Sequence, residues 1–312
     1  MEKKQIAVTI RSFDRDSDYF QILQDLFEIR YINSTGNRLE KQDLILAMQN
    51  SEGVIAGTEI FDREVLASAP SLKVLSRVGV GTDSIDLEYA RLHNIRIFNT
   101  PNAPVRAVAE HTIALMLALL KRIPRYDRNV KNGDLTIGSG ELIAEKTIGI
   151  IGIGRIGFRV ASVLSCLGAK IIFFDPYLKS TTVIPQEWTR IRDLKSLLSG
   201  ADVITLHATP SSDNHPLLDS RAFSSCKKGI IIINTARESL IDEEALVTAI
   251  REGIVGGIAL DVFNKNHMAT LIGASPEVIL TPHIASNTRY SRREMESEAV
   301  NNLIQGFREV PL

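Results

Sequence analysis

Gly152-Ile153-Gly154-Arg155-Ile156-Gly157 is the stretch whose reading decides the fold. It follows Lys146-Thr-Ile-Gly-Ile-Ile151, a continuous apolar run of buried-strand type, and leads into a helical pattern through Leu167. The three glycines suit a tight turn, close approach of the backbone to a pyrophosphate, and close helix–strand packing. The opening helix then offers free N–H groups and the positive end of its dipole to the phosphates. A lone GxGxxG is weak evidence; strand, glycines and helix in this order are what the mechanism requires. Gly152, Gly154, Arg155, Ile156 and Gly157 are therefore expected to cradle a dinucleotide.

The next strand pattern, Lys170–Phe174, ends in Asp175, eighteen residues past Gly157. A carboxylate there accepts from the ribose hydroxyls and repels a 2′-phosphate, so the expected cofactor is NAD rather than NADP. No Arg or Lys follows at once; Pro176 and Tyr177 do.

Outward from this unit, strand and helix patterns alternate in both directions. Downstream strands are expected at Val203–Leu206, Gly229–Asn234, Gly256–Leu260 and Val278–Leu280. Six strands with crossover helices make a full dinucleotide-binding sheet. Upstream, Ile6–Ile10, Gly53–Ala56, Val74–Ser76 and Ile95–Phe98 read as strands, and Tyr19–Phe27, Asp62–Ala69 and Leu87–His93 as helices. That alternation predicts parallel sheets covered by helices. Asn99-Thr-Pro-Asn-Ala-Pro104 is a turn-rich break. The pattern from Val105 to Lys121 is apolar nearly all round, which predicts a helix buried between domains or subunits. The tail from about Asn287 to Phe307 is charged and helical.

Composition excludes several classes. The 312 residues suggest about two domains, with 44% hydrophobic and 23% charged residues. A formal net charge of -1 gives no global pull towards nucleic acid or an anionic membrane. The longest apolar stretch, Thr112–Leu120, is far short of a bilayer span. Cys166 and Cys226 make no disulfide framework, and no Cys/His spacing predicts a metal site. The N-terminal Met1–Val8 segment has no apolar leader pattern, so a cytoplasmic protein is expected.

With Val78-Gly-Val-Gly-Thr-Asp83, Asn99-Thr-Pro101, Ala109-Glu-His-Thr112, Phe174-Asp-Pro-Tyr177, Asn234-Thr-Ala-Arg237, Leu260-Asp-Val-Phe263 and Thr281-Pro-His-Ile-Ala285 also in register, the sequence resembles the D-isomer-specific 2-hydroxyacid dehydrogenases over nearly its whole length. Within that family it is most similar to the 3-phosphoglycerate dehydrogenase branch, without that branch's C-terminal regulatory extension. The resemblance implies an α/β fold in which a Rossmann doubly wound parallel sheet (99–283) is inserted into a smaller flavodoxin-like substrate domain (1–98, completed by 284–312). It implies a homodimer held by the helix after Asn99–Pro101. It also implies hydride transfer between NAD and a small D-2-hydroxy or 2-oxo acid.

Residue by residue, the resemblance makes Arg237 the substrate anchor, whose guanidinium forks onto a carboxylate. It makes His283 the acid/base that exchanges the hydroxyl proton. It places Asp261, Thr235, Ala236 and His283 near the nicotinamide, and His207, Thr209 and Pro210 beside the adenine. Val80 and Gly81 would hold the substrate carboxylate by their N–H groups. His111 and His215 have no assigned role.

Three departures stand out. The family pairs its His with a Glu five positions after the Asp of the Leu260–Phe263 motif; here that place is Asn266. An amide can orient the ring but supplies no charge. This leaves three readings: a 2-hydroxyacid dehydrogenase in which Asn266 orients His283, a dehydrogenase of another small anion such as formate or phosphite, or a catalytically weakened NAD-binding regulator. Glu238 stands where the family usually has Gly, either as a loop residue facing solvent, the favoured reading, or as a carboxylate that replaces the missing Glu from another direction. The branch's phosphate-binding Arg is replaced near Ala56, with Glu59 close by, which disfavours a phosphorylated substrate; Arg106 is the candidate replacement cation.

Overall fold

The computed structural model describes residues 3–210, 215–275 and 277–308. The chain forms two compact units, Met1–Pro104 with Thr288–Leu312, and Val105–Asn287.

In the first unit, five strands form one parallel sheet: β1 (Lys4–Val8), β2 (Phe27–Ile32), β3 (Gly53–Ala56), β4 (Val74–Arg77) and β5 (Arg96–Phe98), in the order β2-β1-β3-β4-β5. Parallel strands need covering on both faces. Alternate residues of β1 accordingly serve two cores. Ala7 joins Met48, Leu66 and Leu75 on one face, while Ile6 and Val8 join Leu23, Met295 and Leu303 on the other. The second core is closed by the helix Arg289–Arg308, so the end of the chain returns to complete its beginning. Ser76 Oγ donates to the Ala299 carbonyl at 2.8 Å, and Tyr19 Oη donates to the buried Glu296 carboxylate at 3.0 Å. Burial and the Glu296 charge push the Tyr19 phenol up to about 12, against a lowering hydrogen bond from Ser17.

Strand β2 is not anticipated by the sequence reading. The helix Asp18–Leu26 runs straight into it, with Phe27 serving as both helix C-cap and first strand residue. No turn residue separates the two, and an edge strand alternates apolar and polar residues much as an amphipathic helix mixes them.

The second unit carries seven parallel strands: β6 (Thr147–Ile151), β7 (Lys170–Phe174), β8 (Thr189–Arg190), β9 (Val203–Leu206), β10 (Ile230–Asn234), β11 (Val255–Leu260) and β12 (Val278–Leu280). Their order is β12-β11-β10-β9-β6-β7-β8, the doubly wound arrangement with its switch between β6 and β9. The six expected strands are present; β8 is a two-residue edge addition. The helix Val105–Leu120 belongs to this unit's own core. Its Met116, Leu119 and Leu120 pack with Ile148, Ile150 and Val160 on one face of the sheet. The opposite face packs Ile204, Ile232 and Ile258 against Leu246 and Leu271. One apolar face of that helix is thus covered within this unit. Among the described residues no helix is long and apolar enough to cross a membrane.

Candidate active site

Every residue singled out in the second unit after a strand lies at the same, C-terminal, edge of one sheet. The glycine loop leaves β6 and Asp175 leaves β7. His207 leaves β9, Arg237 leaves β10, Asp261 and Asn266 leave β11, and His283 leaves β12. In such sheets this edge is where ligands bind.

At the β6 end the backbone is packed to a tolerance that only glycine meets. Gly152 has φ +90°, and a Cβ on it would lie 2.6 Å from the His207 carbonyl oxygen. A Cβ on Gly157 would collide with the Gly152 carbonyl. Gly154 differs: its Cβ would meet nothing within 4 Å. It is exposed and caps the helix Arg155–Cys166, beside the exposed Arg155. Two glycines therefore serve the packing, and the third keeps open the space in front of the helix N-terminus. A pyrophosphate fits that cradle.

Asp175 closes this end. Its Oδ2 accepts from Ile153 N at 2.9 Å and its Oδ1 from Tyr177 N at 2.8 Å. Each oxygen keeps a lone pair for a ribose hydroxyl. The structure adds a cation that the sequence reading missed. Arg190, on edge strand β8, donates Nη2 to the Asp175 carbonyl at 3.1 Å. His207 backs the loop through its N–H to Ile151 O at 2.7 Å, and its Nε2 shares a hydrogen bond with Thr205 Oγ1 at 2.9 Å. Burial drives the His207 imidazole down to about 3, so the ring is neutral throughout the physiological range. Thr209 is exposed and Pro210 half-buried on the segment that follows.

At the β10 end, fully buried Asn234 shapes the turn. Its Nδ2 donates to Arg237 O at 2.8 Å and its Oδ1 accepts from Ala236 N at 3.0 Å. Thr235 Oγ1 bonds Thr112 Oγ1 at 2.9 Å. Thr112 gives its own hydroxyl proton to Val108 O, so Thr235 is the donor. Arg237 sits half-buried at the turn's end, its Nη1 on the Ala236 carbonyl at 2.7 Å. Glu238 is exposed, in keeping with a loop residue facing solvent.

The β11 and β12 ends are joined by Asp261. Its side chain is fully enclosed. Oδ1 accepts from Thr281 Oγ1 at 2.6 Å and from Ile284 N at 2.9 Å, and Oδ2 accepts from Ala285 N at 2.9 Å. The backbone carbonyl of Asp261 takes the His283 N–H at 3.0 Å. The 281–285 loop is thus folded around one carboxylate, with His283 exposed at its apex at φ 56°. That backbone region is uncommon for a non-glycine residue and persists only where its surroundings hold it. Asp261, which the resemblance places near the nicotinamide, has an enclosed side chain that holds this loop.

Asn266 is exposed at the centre of the short turn Lys265–His267, its N–H on Asn264 Oδ1 at 3.0 Å. That turn is tied back by buried Glu243, which accepts from Asn264 N at 2.8 Å and meets His267 Nδ1 at 2.8 Å. Sequence reading missed Glu243 and His267, whose partners lie more than twenty positions away.

In the first unit, Val80 and Gly81 follow β4. Thr100 fixes the start of their loop, accepting from Gly79 N at 2.7 Å and donating its own N–H to Gly79 O at 2.9 Å. Asn99 Nδ2 holds Val80 O at 2.6 Å. Ala56 ends β3 in register with Arg77, and Glu59 beyond it is buried, accepting from Gly57 N at 2.7 Å. Burial raises the Glu59 carboxyl above its usual range, opposed by backbone hydrogen bonds and by Arg38 and Arg77. Arg106 is exposed at the start of its helix, in the second unit. Among the described residues no group of His, Cys, Asp and Glu is arranged to hold a metal ion.

Comparison with known proteins supports this architecture. Residues 113–285 match the family model for the NAD binding domain of D-isomer specific 2-hydroxyacid dehydrogenases. The D-3-phosphoglycerate dehydrogenase of Archaeoglobus fulgidus is 33% identical over 297 residues, covering 89% of this chain and 55% of that protein. The chain thus spans about half the length of the curated phosphoglycerate dehydrogenases it matches. The glyoxylate reductase of Thermofilum pendens is 38% identical over 261 residues, covering 79% of this chain and 75% of that protein. The structure of Aquifex aeolicus D-lactate dehydrogenase, complexed with NAD and lactic acid, aligns with TM-score 0.83 at 26% identity, covering 98% of this chain and 96% of that one. A cradle fit for a pyrophosphate, an acidic residue after β7 and an imidazole on a carboxylate-held loop are thus the parts of a known design, and the chain belongs to the D-isomer specific 2-hydroxyacid dehydrogenase family.

Proposed function

We propose that this chain is an NAD-dependent oxidoreductase that moves a hydride between nicotinamide and a small, unphosphorylated D-2-hydroxy acid or its 2-oxo acid. The observation that carries the reading is the Asp261-held loop, which fixes His283 at the sheet edge that also presents Arg237. When bound, the nicotinamide supplies the hydride donor or acceptor.

The protein's own part follows from its residues. Arg237 forks onto the substrate carboxylate and polarises the C2 oxygen. In the reducing direction His283 gives a proton to that oxygen; in the oxidising direction it takes the hydroxyl proton. Asn266 orients the ring as an uncharged partner. In the first unit, the Val80 and Gly81 N–H groups form a carboxylate-binding element. Ala56, where the resembling branch carries a phosphate-binding Arg, argues against a phosphorylated substrate. Asp175 on the ribose side favours NAD over NADP. The relatives named as acting on lactate or glyoxylate support a 2-hydroxy acid over formate or phosphite, and over a non-catalytic regulator.

The protein is further proposed to act as a cytoplasmic homodimer. The helix Ile123–Lys131 buries no residue, and Leu135, Ile137 and Leu142 beyond it are exposed. Cys166 and Cys226 are free thiols, in keeping with a reducing compartment.

NADH absorbance, followed with glyoxylate, hydroxypyruvate, pyruvate, 3-phosphohydroxypyruvate, formate with NAD, and phosphite with NAD, tests the activity. Turnover of an unphosphorylated 2-oxo acid is expected. Tight NADH binding with no turnover of any of them sinks the enzyme reading. Sedimentation of the purified chain tests the dimer.

A further inference from the structure

His283 is not the only histidine at this sheet edge. His111 lies on the helix Val105–Leu120, its side chain 20% exposed. Its Nε2 is 3.2 Å from Thr281 Oγ1 and 3.6 Å from Asp261 Oδ1. Thr281 gives its hydroxyl proton to Asp261, because an ionised carboxylate only accepts. Thr281 Oγ1 is then the acceptor in its contact with His111, which sets the His111 tautomer as Nε2–H. The chain of contacts runs from His111 to Thr281, from Thr281 to the enclosed Asp261 carboxylate, and from that carboxylate to the N–H groups of Ile284 and Ala285, the two residues that follow His283.

We propose that His111 is a positioning residue for His283. It rests on the reading of His283 as acid/base but is tested separately from it. His111 supplies the donor that fixes the Thr281 hydroxyl, and it adds a polar neighbour to the buried Asp261 carboxylate. Loss of the donor leaves the Thr281 oxygen unsatisfied and frees its hydroxyl to rotate away from Asp261. The loop then loses one of the three side-chain bonds that hold His283 at a positive φ. The imidazole stays in place chemically but spends less time aimed at the substrate oxygen, and alignment is what a general acid must have.

The test uses His111→Leu, His111→Gln and Thr281→Val in the full chain. Gln is the conservative variant, since its Nε2 can donate from nearly the same point. Three quantities are read: NADH affinity by fluorescence, kcat and KM on the best 2-oxo acid with its solvent isotope effect, and the ring Cε1–Hε1 signal of His283 by NMR. His111→Leu is expected to lower kcat about tenfold, raise the solvent isotope effect, leave NADH affinity within about twofold, and shift or broaden the His283 ring signal. His111→Gln should return kcat to within about twofold of the parent. Thr281→Val should reproduce the Leu effect, and the double variant should add little to either single change. An unmoved His283 ring signal in both His111→Leu and Thr281→Val overturns the proposal whatever the activity. So does a fall in NADH affinity that accounts for the whole loss of activity. If the parent turns over no 2-oxo acid while both variants still move the His283 ring signal, the positioning role stands and the dehydrogenase reading falls.

Discussion

The two ends of the second sheet's ligand edge are built by different means. At β6 and β7 the work is done by backbone: a Cβ has no room on Gly152 or Gly157, while one on Gly154 would face open space. At β11 and β12 the work is done by one side chain, Asp261, gathering a loop twenty residues further on. The first kind of construction depends on what is missing from a residue and tolerates almost no substitution. The second depends on a partner across the sheet. Cofactor binding and proton exchange should therefore fail separately under mutation.

Gly157→Val should have the largest effect. Even the first carbon of the new side chain collides with the Gly152 carbonyl, so the helix Arg155–Cys166 is pushed off β6. NADH affinity should fall more than about 100-fold, with a stability loss of about 1–3 kcal/mol, read by fluorescence titration and thermal melting. Retained affinity would show that the loop yields more than its packing implies.

Asp261→Ala comes next. It strips the acceptor from Thr281, Ile284 and Ala285 and should cut kcat about 100-fold while NADH affinity changes little. A parallel collapse of NADH affinity would break the contrast between the two ends.

Asp175→Asn removes the negative charge on the ribose side while Arg190 stays against the same backbone. The NADPH to NADH preference, as a ratio of kcat/KM, should rise about tenfold. No change in the ratio would mean that Asp175 serves the glycine loop alone.

The smallest effect concerns pH. Burial lowers the folded His207 pKa from 6.5 to about 3, so the unfolded chain binds more protons in that interval. The His207 contribution to stability is complete above about 6.5 and is lost as pH falls towards 3. His207→Gln should flatten the acid side of a denaturation curve over that range and leave the neutral side nearly unchanged. A parallel curve would count against the buried neutral ring.

The same division explains how much could be read from the sequence. The glycine loop, its strand and helix, and Asp175 stand within thirty residues, and local rules fix them. The six main strands of that sheet were legible because buried parallel strands are near-continuous apolar runs. Strand β2 was not, since Phe27 passes from helix to strand without a break. Arg237 and His283 were legible only through the motifs around them. What holds them was not: Asp261 reaches Ala285, Glu243 reaches Asn264, and His111 reaches Thr281 across 170 positions. Side-chain partners at that separation follow from the topology of the finished sheet, and nothing local marks them. Arg190 was missed for a related reason, since its two-residue strand is too short to show a period.

The empty space in front of Gly154 has a practical consequence. A single methyl group there touches no protein atom within 4 Å, and it would enter the space in which the proposed site holds a pyrophosphate. On that proposal Gly154→Ala is expected to weaken NADH binding, read by fluorescence titration, while the thermal melting point stays unchanged. Expressed beside the parent in a living cell, such a chain would separate what the protein does by holding a dinucleotide from what it does merely by being present.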